Sequence, residues 1–77
     1  MYSEICQKFA TKLQELRIAK GFTQEHLALD ADVDKSYIGK IENSQKMPTL
    51  KTIAKLALAL EIPVKDLFDF EYDYKNH

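Results

Sequence analysis

Apolar residues recur at three- and four-residue steps along most of this chain, the period of a helix with one buried face. Ile5, Phe9, Leu13 and Leu16 trace the first such stripe, and Gly21 stands where a helix C-terminus accepts a left-handed residue. A first helix is therefore predicted from about Ser3 to Lys20. Thr23 is a good N-cap ahead of the short stripe Leu27, Ala28 and Ala31, which predicts a second helix over about Gln24 to Ala31. Asp30 and Asp32 favour turns over helix, and Asp34 can cap a third helix running from about Lys35 to Asn43.

The polar break Asn43, Ser44, Gln45 and Pro48 follows, and Thr49 caps a fourth helix. Its stripe is Leu50, Ile53, Ala54, Ala57 and Leu60. Pro63 suits the first turn of a last short helix ending near Phe68, with Leu67 and Phe68 returning to the core. The pattern predicts an all-α fold of five short helices, a domain over residues 1–68 and a tail over residues 69–77.

That tail changes period. Asp69 to Tyr74 reads D-F-E-Y-D-Y, and strict alternation would set Phe70, Tyr72 and Tyr74 on one side of an extended strand. A lone strand has no mate inside a helical monomer. Three readings stand: a subunit contact, a continuation of the fifth helix, or a solvated end.

Composition narrows the class. A chain of 77 residues can bury one modest core, and 45% apolar content with a net charge of -1 marks a folded domain rather than a disordered segment. The single Cys6 cannot pair within the chain, which suits a reducing compartment and a small apolar role in the core. No apolar run approaches the ~18 residues of a membrane span, and the N-terminus lacks the pattern of a signal peptide. A cytoplasmic protein without a membrane partner is expected.

The small net charge conceals a segregation. Residues 35–55 carry Lys35, Lys40, Lys46, Lys51 and Lys55 against Glu42 alone. Residues 56–74 carry Glu61, Asp66, Asp69, Glu71 and Asp73 against Lys65 alone. One part of the surface therefore suits a polyanion.

The third helix sharpens this. Val33, Ile38 and Ile41 lie on or near one side, while Lys35, Ser36, Tyr37, Gly39 and Lys40 occupy the other. Single surface lysines ordinarily serve solubility, but a group of them on the second helix of a tight helical pair matches the geometry that enters the major groove of DNA. Lys35 and Ser36 begin the helix, where side chains reach deepest, with Gly39 and Lys40 one turn later. Lysine donates to guanine O6 or N7 and serine both donates and accepts, so both can address base edges. Gly39 carries no side chain and permits a close approach.

From Phe22 to Leu50 the chain resembles the helix-turn-helix regulators of the Cro and lambda-repressor type, the XRE family. The resemblance is carried by T-Q-E-H-L-A at Thr23 to Ala28, Val33 after the turn, Y-I-G-K-I-E-N at Tyr37 to Asn43, and M-P-T-L before helix 4. More loosely it extends from Phe9 to Phe68, including I-P-V-K-D-L-F. It implies a compact five-helix lambda-repressor-like domain with the helix-turn-helix at helices 2 and 3.

The same resemblance implies roles. Lys35, Ser36, Tyr37 and Lys40 match base-contacting or outer recognition positions. Gln24 matches a glutamine that holds a phosphate and braces the recognition helix. Thr23, Asn43, Ser44 and Lys46 match backbone-contacting positions around it. Arg17 and Glu42 match an internal ion pair between helices 1 and 3, a structural role. One departure is Asp32, which stands where the family usually has glycine; aspartate tolerates the left-handed conformation better than most residues.

Other chemistry lacks parts. His26 has no second ligand at metal spacing, and Asp30, Asp32 and Asp34 lack the glycine and distal glutamate of a calcium loop. No nucleophile with a base, and no glycine-rich phosphate loop, supports an enzyme. The expectation is a sequence-specific DNA-binding transcriptional regulator, with double-stranded DNA as partner and neither cofactor, metal nor small-molecule effector. A homodimer on an inverted repeat is expected, because one such module reads few bases. Ile62, Val64, Phe68, Phe70 and Tyr72 are apolar surplus for a core this small and form the expected dimer surface. The rival reading is a protein-interaction module such as an antitoxin, using its acidic aromatic tail.

Overall fold

Helix α1 (Glu4–Ala19) is followed by three further helices, α2 (Gln24–Ala31), α3 (Lys35–Glu42) and α4 (Leu50–Leu60), in a computed structural model that describes residues 4–72. A short 3₁₀ helix, Val64–Phe68, closes the chain's return. The α2 helix packs on both α3 and α4, α1 packs on α3 and the 3₁₀ helix, and the latter also touches α4. Phe9, Leu13, Leu27, Ile38, Ile41, Leu56, Leu60 and Leu67 are fully buried between them. Cys6 joins this interior, and burial pushes its thiol pKa up, which suits packing rather than reactivity.

The starts of α2, α3 and α4 are fixed by side-chain caps. Thr23 Oγ1 accepts from the His26 N–H at 3.0 Å, Asp34 Oδ1 from Ser36 N–H at 3.1 Å, and Thr49 Oγ1 from Thr52 N–H at 3.2 Å. Each satisfies one of the amides that a helix N-terminus leaves without an internal partner.

All four α-helices stop in the same way. After α1, Phe22 N–H reaches Arg17 O and Gly21 N–H reaches Ile18 O, with Gly21 at φ 77°. Paired bonds of the same pattern follow α2 through Val33 and Asp32, α3 through Gln45 and Ser44, and α4 through Ile62 and Glu61. These are Schellman motifs, which require a left-handed residue just past the helix. Only the first uses glycine. Asp32, Ser44 and Glu61 sit at φ 59°, 61° and 57° and accept the strain of a side chain there. At three of the four ends the next residue folds onto the core: Phe22 after Gly21, Val33 after Asp32 and Ile62 after Glu61.

Three sequence expectations need correction. Among the described residues there are four α-helices, not five: Val64–Phe68 is a 3₁₀ helix, held by i to i+3 bonds such as Asp66 N–H to Pro63 O at 3.0 Å. Short helical connectors commonly take this tighter bonding. In α4 the buried set is Ile53, Leu56, Ala57 and Leu60, whereas Leu50 is 77% exposed and Ala54 also faces out. The tail as far as Tyr72 is neither strand nor helix. A bond from Phe70 N–H to Phe68 O turns it, and Phe70 packs on the core with its ring 6.3 Å from that of Phe68. Tyr74 lies outside the described residues.

Candidate nucleic-acid interface

Helix α3 is seated by Ile38 and Ile41, both fully buried, with Val33 and part of Tyr37 packed beside them. The helical period then puts Lys35, Ser36, Gly39, Lys40 and Asn43 together on the opposite side. Lys35, Ser36, Lys40 and Asn43 are exposed and Gly39 is half-buried. Tyr37 lies at the edge of this face, and the core takes up part of its ring.

The α3 helix is held by a buried polar network. Arg17 forks onto Glu42, with Nε to Oε2 at 2.7 Å and Nη2 to Oε1 at 3.1 Å. Its remaining arm, Nη1, donates to Phe22 O at 2.7 Å, in the turn after α1. Gln24 Nε2 donates to Glu42 Oε1 at 3.0 Å. The Glu42 side chain is only 2% exposed, so these donors replace the water that it has lost. The network joins α1, the first residue of α2 and the last residue of α3.

Gln24 also touches the polar face. Its Oε1 lies 3.6 Å from where a Cβ on Gly39 would stand, which places the N-terminus of α2 beside the middle of α3. Thr23, one residue earlier, is exposed and spends its oxygen on capping α2. Ser44 is half-buried in its left-handed turn, and Lys46 is exposed in the loop that follows. The sequence paired Arg17 with Glu42 and made Gln24 a brace of the recognition helix; what it did not show is that Gln24 braces through Glu42 and that the Phe22 carbonyl takes the remaining arm of Arg17. Nothing in the local pattern marks them, since Gln24 and Glu42 are 18 residues apart.

The lysines of this face have no acidic partner among the described residues: Lys35 and Lys40 of α3 and Lys46 in the loop after it form no ion pair, whereas Lys8, Lys12 and Arg17 of α1 each have one. On the outer face of α2, His26 stacks on Phe22 at 3.9 Å between ring centroids and its Nε2 meets Asp30 Oδ2 at 3.2 Å. That local pairing accounts for His26 without a metal.

A family model described as helix-turn-helix matches residues 13–67. The chain is 35% identical over 71 residues to the control protein C.BamHI of Bacillus amyloliquefaciens, covering 91% of this chain and 88% of that protein. It is similar in structure to the restriction-modification controller protein C.AhdI of Aeromonas hydrophila, with a TM-score of 0.81 and 46% identity over 82% of this chain and 96% of that one. The controller protein C.Esp1396I, solved as a tetramer in complex with its natural 35 base-pair operator, matches with a TM-score of 0.82 and 29% identity. That likeness covers 88% of this chain and 90% of the other.

Proposed function

This chain belongs to the helix-turn-helix family of DNA-binding transcriptional regulators, and from that premise we propose that it is a restriction-modification controller protein, a homodimer that binds an inverted-repeat operator. The observation that carries the reading is the α3 face: lysines without acidic partners among the described residues, mounted on a buried apolar ridge and braced through Glu42. A charged face held this firmly is suited to a rigid polyanion of fixed groove geometry.

Under this reading Lys35, Ser36, Tyr37 and Lys40 address base edges in the major groove. Lys35 and Lys40 donate to guanine O6 or N7, and the Ser36 hydroxyl both donates and accepts. Thr23, Gln24, Asn43, Ser44 and Lys46 hold phosphates on either side. The chemistry leaves each of them a donor. The Gln24 amide has two hydrogens and gives one direction to Glu42, so its second N–H serves a phosphate. The Thr23 oxygen accepts from the helix but keeps its own O–H to donate.

The dimer surface of this reading lies on α4 and the 3₁₀ helix. Leu58, Val64 and Phe68 are 80%, 40% and 36% exposed on these two elements and would supply its apolar area. Ile62 and Phe70, expected to face a partner, already pack on the chain's own core and contribute at most their outer edges. Tyr72 is half-buried. Pairing would set two α3 helices about one DNA turn apart, roughly 34 Å. Operator occupancy then rises steeply with protein concentration, which is regulation enough for a chain of this size.

Fluorescence anisotropy tests this directly, with the duplex upstream of the protein's own gene and a scrambled duplex at two salt concentrations. Tight, salt-dependent binding to the first alone, weakened roughly 5- to 150-fold by Lys35→Ala, is the expected outcome. Equal weak binding to both duplexes, or indifference to Lys35→Ala, overturns it.

A further inference from the structure

We propose that Gly39 is the point of closest approach between this protein and DNA, where the α3 backbone seats against the base edges of the major groove with no side chain between them. The inference rests on the DNA-binding reading above and adds a residue to it. Glycine in the middle of a helix is destabilising, because it loses more backbone freedom on folding than any other residue. Gly39 occupies such a position, the fifth of the eight residues of α3.

Nothing among the described residues asks for it. A Cβ built on Gly39 would meet a single atom within 4 Å, Gln24 Oε1, at 3.6 Å, an ordinary van der Waals contact. The backbone there is not left-handed, unlike that of Gly21, whose φ is 77°. Alanine therefore fits the folded monomer and would strengthen the helix. The destabilising residue stands at the centre of the polar face, one turn from Lys35 and Ser36 and beside Lys40. The requirement for a bare backbone therefore comes from outside the chain, at the surface the face is built to meet. Base edges fit that surface: the groove admits a helix with little clearance, and a thymine methyl or an amino group opposite Gly39 occupies the space a Cβ would need.

The test opposes stability to recognition. An operator is first enriched from a random-sequence duplex pool with the wild-type protein, and binding to it and to a scrambled duplex is then measured for wild type and Gly39→Ala, alongside thermal melting without DNA. Gly39→Ala is expected to raise the melting midpoint by about 4 °C. It is also expected to weaken binding to the enriched duplex at least tenfold and change binding to the scrambled duplex less than twofold. A raised midpoint with unchanged specific binding overturns the inference alone, as does a lowered midpoint, which would make the glycine a requirement of the fold. If the wild type enriches no sequence, the DNA-binding reading fails and this inference falls with it.

Discussion

Gln24 Nε2 donates to Glu42 Oε1 at 3.0 Å, and so ties the first residue of α2 to the last residue of α3. The two helices meet at the Asp32 turn, so this bond closes the far side of the angle between them. An angle held at one end by three connecting residues and at the other by a buried carboxylate cannot open without breaking charge-assisted bonds. Presentation of the α3 face thus depends on a side chain outside α3.

Gln24→Ala should therefore damage recognition more than folding. The loss of one hydrogen bond to a carboxylate costs ~1.5–3 kcal/mol of stability, with Arg17 still paired to Glu42. Operator affinity should fall at every salt concentration by a similar factor, because a neutral amide releases no counterion when it binds a phosphate. Lys46→Ala should instead reduce the salt slope by about one unit. Salt titrations of the two variants that show the opposite assignment would reject both roles.

Arg17→Ala is the variant expected to damage the fold most. It leaves Glu42 buried with Gln24 as its remaining donor and strips the Phe22 carbonyl of its partner. Breaking one side of a buried pair costs ~3–5 kcal/mol, against a total stability of about 5–15 kcal/mol for a domain. Arg17→Lys should recover only part, since one ammonium cannot span the acceptors that Nε, Nη1 and Nη2 reach together. Urea denaturation reads both variants, and an Arg17→Ala protein within 1 kcal/mol of wild type would refute this account.

Most of what positions the site is legible in the sequence, for identifiable reasons. Phe9, Leu13, Leu27, Ile38 and Ile41 are buried where the 3.6 period puts them, and Thr23, Asp34 and Thr49 cap the helices they precede. These are local signals, read within one or two turns. In α4 the reading goes wrong by a shift in phase: Leu50 and Leu56 are equally apolar, and only the position of α2 and the 3₁₀ helix decides which is covered. The short helix after Pro63 looks α-helical by composition yet bonds i to i+3, a difference that residue pattern over five positions does not register. The left-handed ends at Ser44 and Glu61 carry no glycine to announce them. Asp32 does announce its turn, because aspartate visits that conformation readily.

Glu61→Gly should stabilise the protein. Glu61 ends α4 at φ 57° and ψ 45°, a conformation that costs a side-chain-bearing residue roughly 1–2 kcal/mol. Glycine removes that strain but gives back part of the gain in unfolded-state entropy, which leaves a net stabilisation of about 0.5–1 kcal/mol. Thermal melts should show a midpoint higher by about 3–6 °C. The same change at Lys40, a residue with ordinary helical φ, should lower it, so a rise in both variants would mean that left-handed strain is not the cause.

Dimerisation and folding should separate at Val64 and Phe70. Val64 is 40% exposed on the 3₁₀ helix, so Val64→Asp removes little from the monomer's core but sets like charges against each other at a two-fold contact. Phe70 packs on its own chain's core, so Phe70→Ala should act first on stability, by roughly 1–3 kcal/mol, and on assembly only as a consequence. Sedimentation at high micromolar concentration should find wild type and Phe70→Ala dimeric below the melting transition, with Val64→Asp monomeric and still folded by circular dichroism. DNA affinity should follow the dimer: Val64→Asp keeps α3 intact yet loses the second half-site, and its operator binding should fall to the level of the scrambled duplex. A Val64→Asp protein that remains dimeric would move the interface away from the 3₁₀ helix, and one that is monomeric but still binds the operator tightly would remove pairing from the mechanism.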